Sequence, residues 1–199
     1  MTPTLVSPEE LHRLIDELSC GDDERAESAA LVLGTQGCAA LAYLQPLLAD
    51  VSPDRRWWAA RVLGQLHCDA AYQPLIGLLN DPNDDVRACA AFALGEAQVD
   101  SAVLPLAQAL RDPSVYVSAM AGDALARIGK ASVPILIDRL RNGSSLERVR
   151  AAKALLTIQD SRSIPALIAA LDDDSPVVEH YATEALTRLG VGTVLLKPN

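Results

Sequence analysis

Residues 72–99 read YQPLIGLLNDPNDDVRACAAFALGEAQV, and this stretch decides the fold. It opens on a short apolar helix pattern, QPLIGLL. Asn80, Asp81, Pro82 and Asn83 then break that pattern, because all four residue types favour turns. Asp84 and Asp85 place carboxylates at the start of a second helix, DVRACAAFALGEA, where they favour the helix dipole and can cap free N–H groups. Ala90 and Leu94, four residues apart, put a narrow stripe of that second helix against the first. The alanine permits close approach and the leucine fills the space beside it.

The same pair recurs along the whole chain. Ala29, Ala59, Ala90, Ala121, Ala151 and Ala182 are each followed four residues later by Leu33, Leu63, Leu94, Leu125, Leu155 and Leu186. The leucine intervals are 30, 31, 31, 30 and 31. One pattern at one period means a repeat array and not a domain with one central core. Prolines recur too, at Pro46, Pro74, Pro105, Pro134 and Pro165, and are expected to open the first helices, where a missing N–H costs nothing. Ser7-Pro8-Glu9-Glu10 reads as a capping box that starts the first unit. The expected organisation is a single repeat domain over 1–199, with repeats at 7–37, 38–68, 69–99, 100–130, 131–160 and 161–190 and a short tail, 191–199. Leu195 and Leu196 in that tail either cover the last repeat or fray.

Composition narrows the function. A net charge of -9 argues against nucleic acid, whose binding needs a concentrated basic surface. It argues equally against anionic membrane surfaces, and no run of about 18 apolar residues suggests a spanning helix. The start, MTPTLVSPEELHRL, lacks a basic segment followed by an apolar stretch, so no secretory signal is expected. Cys20, Cys38, Cys68 and Cys89 form no CxxC pair and are expected to be free thiols in a reducing cytoplasm. They also offer zinc no ligand pairs.

The segment Asp81–Leu110, DPNDDVRACAAFALGEAQVDSAVLPLAQAL, resembles the short HEAT-like repeats named after the phycobilisome lyases. The Asp-Pro turn, Val86-Arg87, the Ala-Leu-Gly at 93–95 and the following first-helix proline carry the match. Arg56, Arg87 and Arg148 occupy the arginine position of the family, whereas Ala26, Ser118 and Glu179 depart from it. The resemblance covers nearly the whole chain. It implies an all-α, right-handed α-α superhelix, a HEAT-like α-solenoid of about six helix pairs, with the second helices lining the concave side.

The alanine then serves as a ruler. At 100° per residue, positions two before and two after it point furthest from the buried stripe. These are Glu27 and Leu31, Trp57 and Arg61, Ala88 and Phe92, Ala119 and Asp123, Val149 and Lys153, His180 and Glu184. Trp58, Cys89 and Met120 flank them. The chain has only two Trp and one Phe, and all three fall on or beside these positions. Aromatic residues on an open face anchor partners by burying large areas. The candidate binding residues are therefore Trp57, Trp58, Arg61, Cys89, Phe92, Met120, Asp123 and Arg127. For Trp57, Trp58 and Phe92 a wedge between adjacent repeats is the competing placement.

No catalytic constellation is legible. No His-Glu dipeptide exists, which excludes the di-iron hydroxylase chemistry found within the HEAT-like class. His180 and Glu184 form a helical i,i+4 pair, which reads as a surface contact and not as a metal site. Two function classes stand. The first is a non-catalytic scaffold that docks another protein on the concave face and needs no cofactor. The second comes from the resemblance: a subunit of an E/F-type phycobilin lyase, paired with a second HEAT-like subunit. There Trp57, Trp58 and Phe92 would stack on a transient bilin, and Arg61, Arg127 or Arg150 would meet its propionates.

Overall fold

The computed structural model describes residues 6–191; Leu195 and Leu196 lie outside the described residues. Among the described residues every regular element is helical, and the chain divides into two compact units, Met1–Val99 and Asp100–Asn199. The division falls where the third repeat was expected to end.

In the first unit the second helices are α2 (Asp23–Gly34), α4 (Pro53–Gln65) and α6 (Asp84–Glu96). They pack in that order, each backed by a first helix: α1 (Pro8–Glu17), α3 (Leu41–Leu44) and α5 (Asp69–Gly77). In the second unit α8 (Val115–Ile128), α10 (Ser145–Ile158) and α12 (Pro176–Arg188) pack likewise, backed by α7 (Val103–Ala109), α9 (Val133–Asn142) and α11 (Ile164–Ala169).

The alanine–leucine stripe is where the burial is. The six alanines are at most 2 % exposed and the six leucines are 0 % exposed. In the fifth repeat Leu155 is the fully buried member of the stripe, with Leu156 beside it also buried, at 7 % exposed. Each second helix is followed, one to three residues past its end, by a residue with positive φ four positions after its stripe leucine: Gly37, His67, Gln98, Gly129, Gln159 and Gly190. A left-handed residue after a helix lets the turn satisfy the last free carbonyls, which fixes helix length and hence the period.

Adjacent second helices approach at a glycine. A Cβ placed on Gly64 would lie 2.6 Å from the Cβ of Ala93 on α6. Glycine here is a packing requirement, which explains why it follows the stripe leucine.

A second device links repeats. Arg56 of α4 donates from Nε to Asp81 Oδ2 at 2.7 Å and from Nη2 to Oδ1 at 2.8 Å, across 25 residues. The side chains are only 11 % and 4 % exposed. Arg56 Nη1 also donates to the carbonyl of Asp50 in its own turn, at 2.7 Å. Arg148 repeats the arrangement on Asp173, again 25 residues on, at 2.8 and 3.1 Å. Asp81 and Asp173 also accept the backbone N–H groups of Asn83 and Ser175, each at 2.9 Å, so each turn aspartate holds its own turn as well. Burial by itself would raise the Asp81 carboxyl, but Arg56 and the Asn83 N–H outweigh it and hold the carboxyl below its usual range.

Where the family arginine is absent, other bonds appear. Ser118 is fully buried and donates from Oγ to the Leu110 carbonyl at 3.1 Å. Polarity is then reversed: Arg111, in the turn, donates to Glu147 of α10 at 2.9 Å.

Three expectations need correction. Of the five recurrent prolines, Pro134 and Pro165 stand at the second residue of a first helix and Pro105 at the third. Pro74 lies inside α5, which starts earlier, at Asp69, because Asp69-Ala70-Ala71 already forms its first turn. Pro46 lies in a 3-10 segment, Gln45–Ala49, that follows α3. The capping box at Ser7 is half formed: Ser7 Oγ accepts the Glu10 N–H at 3.2 Å, while the Glu10 carboxylate is taken by Arg13. The complete box is Ser144 with Glu147.

The third correction concerns the cysteines. Cys38 and Cys68 are disulfide-bonded, with Cα atoms 5.4 Å apart. Their separation of 30 residues equals one repeat period, so they occupy equivalent positions just after α2 and α4 and meet as neighbours. Only Cys20 and Cys89 are free, and the cysteine argument for a reducing compartment falls away. Burial pushes the Cys89 thiol up to about 12.

Two outcomes follow from this packing. Gly64→Ala should destabilise by about 1–3 kcal/mol in urea unfolding through overpacking against Ala93. Gly77→Ala, where a Cβ meets nothing within 4 Å, should be neutral or stabilising by up to about 1 kcal/mol; equal tolerance at both positions would contradict the close approach. Thiol titration without reductant should find one fast group, the exposed Cys20, in the native protein and a second, Cys89, only on unfolding. Four thiols before reduction would rule out the Cys38–Cys68 bond.

Candidate functional site

The surface lined by the second helices of the first unit carries five of the expected residues. α4 begins with Pro53 at its first position and Asp54 in its first turn, after Ser52 donates its N–H to Asp50 Oδ1 at 2.8 Å. That start sets the helical phase, and Trp57 and Trp58 emerge one turn later. Both are half-buried, and their rings meet edge to face with centroids 4.9 Å apart and planes at 90°. Such pairs hold each other in one orientation.

Arg61, one turn beyond Trp57, is half-buried and bridges back to α2. It donates from Nη2 to Glu27 Oε1 at 2.6 Å and from Nε to Oε2 at 3.3 Å. Both residues stand at ruler positions two away from a stripe alanine, so the ruler placed them on one surface. Cys89 of α6 is only 8 % exposed, with Sγ 3.7 Å from the Trp57 carbonyl. It forms wall and not open surface, because α4 and α6 lie close together at Gly64 and Ala93. Ala88, expected outward, is only 2 % exposed, while Leu31 on α2 stays 55 % exposed.

Two hollows open on this surface, and the tryptophans line one of them. One, of about 300 Å³, is lined by Arg61, Gly64, Cys89, Phe92 and Glu96 among others, with Phe92 half-buried. The other, of about 560 Å³, lies at the starts of α2 and α4 and is lined by Trp57, Trp58, Asp22, Asp23, Glu27 and Asp54 among others. Asp22, Asp23 and Asp54 were not singled out by the sequence reading. Their signal was present as first-turn acids and caps, which are ordinary features of helix starts.

The remaining candidates lie in the second unit. Met120 on α8 is half-buried. Asp123 accepts from Lys153 Nζ of α10 at 2.8 Å, a cross-repeat pair 30 residues apart. Arg127 is exposed in the last turn of α8. Arg150 packs against Gly122 and donates to the Val115 carbonyl at 3.4 Å. His180 stands 3.9 Å from Glu184, whose carboxylate is also taken by Arg188. Among the described residues no three His, Cys, Asp or Glu side chains gather in a way that could hold a metal ion. No helix among them is long and apolar enough to cross a membrane.

Comparison with known proteins bears on the fold. No curated protein is similar enough in sequence to match. Among solved structures, Escherichia coli YibA is 24% identical over 92% of this chain and 70% of that one, with a TM-score of 0.60. The complex of CpcE and CpcF of phycocyanin lyase from Nostoc sp. PCC7120 is 24% identical over 96% and 79%, with a TM-score of 0.56. A designed armadillo repeat protein in complex with the peptide (KR)4 is 20% identical over 90% and 99%, with a TM-score of 0.51. At these identities the likeness shows the fold alone, an all-α repeat solenoid. HEAT repeats match residues 11–95, 72–147 and 133–195, three overlapping segments that take in nearly all of the described chain. The chain belongs to the HEAT repeat family.

Proposed function

We propose that the protein is a non-catalytic scaffold that docks a protein partner on the face lined by its second helices, the concave face implied by the family resemblance. The observation that carries this reading is the pair Trp57 and Trp58, fixed edge to face yet left half-exposed in a chain with a single Phe, Phe92. Rigid, partly exposed indoles bury large area on binding at low entropic cost. Acidic side chains around them, with a chain charge of -9, favour a neutral or basic partner. Two structural relatives have protein or peptide partners: the designed armadillo repeat protein binds (KR)4, and CpcE is in complex with CpcF. Met120, Asp123 and Arg127 would serve docking on the second unit's own face, a second HEAT-like chain is one class of partner, and the cytoplasm is the compartment proposed.

The second reading is a bilin-handling lyase subunit. The fold of CpcE and CpcF and the flat indoles favour it. The electrostatics do not, because Arg61, one turn beyond Trp57, is already engaged by Glu27 at 2.6 Å. A propionate would have to displace that carboxylate.

Affinity capture from the native host tests the scaffold reading. Trp57→Ala and Phe92→Ala should each lose partners that the unaltered protein retains, while cooperative unfolding persists. Retention of the same partners together with a lowered Tm would assign both side chains to packing and overturn the reading.

A further inference from the structure

The hollow of about 560 Å³ at the starts of α2 and α4 has a definite chemistry. Its volume falls in the range of sites that enclose a small ligand or side chain, roughly 300–1,000 Å³. Trp57 and Trp58 supply aromatic surface. Of its four lining carboxylates, Glu27 is paired with Arg61 and Asp22 caps α2, which leaves Asp23 and Asp54 against one lining guanidinium, Arg55. Arg55 is itself neutralised by Asp50, at 2.9 Å.

Helix N-termini ordinarily attract anions. Here that attraction is already spent within the chain. Asp22 Oδ1 accepts the N–H groups of Glu24 and Arg25 at 3.0 and 3.1 Å. At α4 the first position is a proline without an N–H, and Asp54 occupies the first turn. The carboxylates of Asp23 and Asp54, by contrast, make no hydrogen bond or ion pair among the described residues, and both residues are exposed. An indole face attracts a cation through its quadrupole, and a carboxylate beside it adds a charge-assisted hydrogen bond.

We infer that this hollow receives a basic side chain, an arginine, from an extended basic segment of the protein partner. A guanidinium fits both halves of the site. It is planar enough to lie on an indole and forked enough to meet a carboxylate with two N–H groups. The inference rests on the scaffold reading and specifies which partner chemistry it selects.

Trp57 and Trp58 are the only tryptophans in the chain, so intrinsic tryptophan fluorescence reports on this hollow. The full-length protein is titrated with an octa-arginine peptide, with an octa-lysine peptide for comparison, at low salt. The arginine peptide should change the tryptophan emission saturably and bind more tightly than the lysine peptide. The double variant Asp23→Asn with Asp54→Asn should weaken the arginine peptide at least tenfold. Asp172→Asn with Glu179→Gln removes the same charge from exposed positions of the second unit and should leave affinity within twofold. Unchanged emission on binding, or equal weakening by both double variants, would reduce the interaction to general attraction by an acidic protein and overturn the inference. If the inference fails while Trp57→Ala and Phe92→Ala still lose captured partners, the scaffold reading stands without this site. If capture is also unchanged, both fail.

Discussion

The bond from the arginine of one second helix to the aspartate of the next turn is the interaction on which the repeat geometry depends. Arg56 reads two things at once: the carbonyl of Asp50 in its own turn and the carboxylate of Asp81 in the following one. It therefore measures one repeat against the next. Dispersion along the alanine–leucine stripe supplies the attraction between helices, but a stripe of small residues alone permits sliding. A buried bidentate pair does not, because displacing it leaves a desolvated charge without its partner. Arg148 and Asp173 apply the same measure in the second unit.

Function in this account is a consequence of that register. Glu27 with Arg61, and Asp123 with Lys153, are cross-repeat pairs on the outward positions of neighbouring second helices. Neither would meet if adjacent helices were offset by a turn. Trp57 and Trp58 line a hollow only because the starts of α2 and α4 are held side by side. The surface is thus an assembly of single turns from separate repeats, which is how solenoids build extended binding faces without a long-range core.

The stripe was fully legible in the sequence because it is periodic, and periodicity survives drift in individual residues. Six alanines and six leucines all proved buried. Outward direction was legible too, as Glu27 and Arg61 show, but depth was not. One helix considered alone puts Ala88 outward and Cys89 beside it, yet both are buried, Cys89 where α4 and α6 approach at Gly64 and Ala93. The disulfide was missed because cysteines were searched for local CxxC pairs, although Cys38 and Cys68 stand one period apart. The proline reading failed at Pro46 and Pro74, since first helices here are short, broken by 3-10 turns, and tolerate proline away from their starts. The acidic hollow was illegible because Asp22, Asp23 and Asp54 look like ordinary helix-start acids until two helix starts are seen side by side.

Arg56 and Asp81 act as one unit in setting the register. A double-mutant cycle tests it directly, with Arg56→Ala, Asp81→Ala and the double variant unfolded in urea. Either single change should cost about 3 kcal/mol, and the two should be strongly non-additive, with a coupling of about 2 kcal/mol or more. Additivity to within about 0.5 kcal/mol would show that the two side chains contribute independently, and would contradict it.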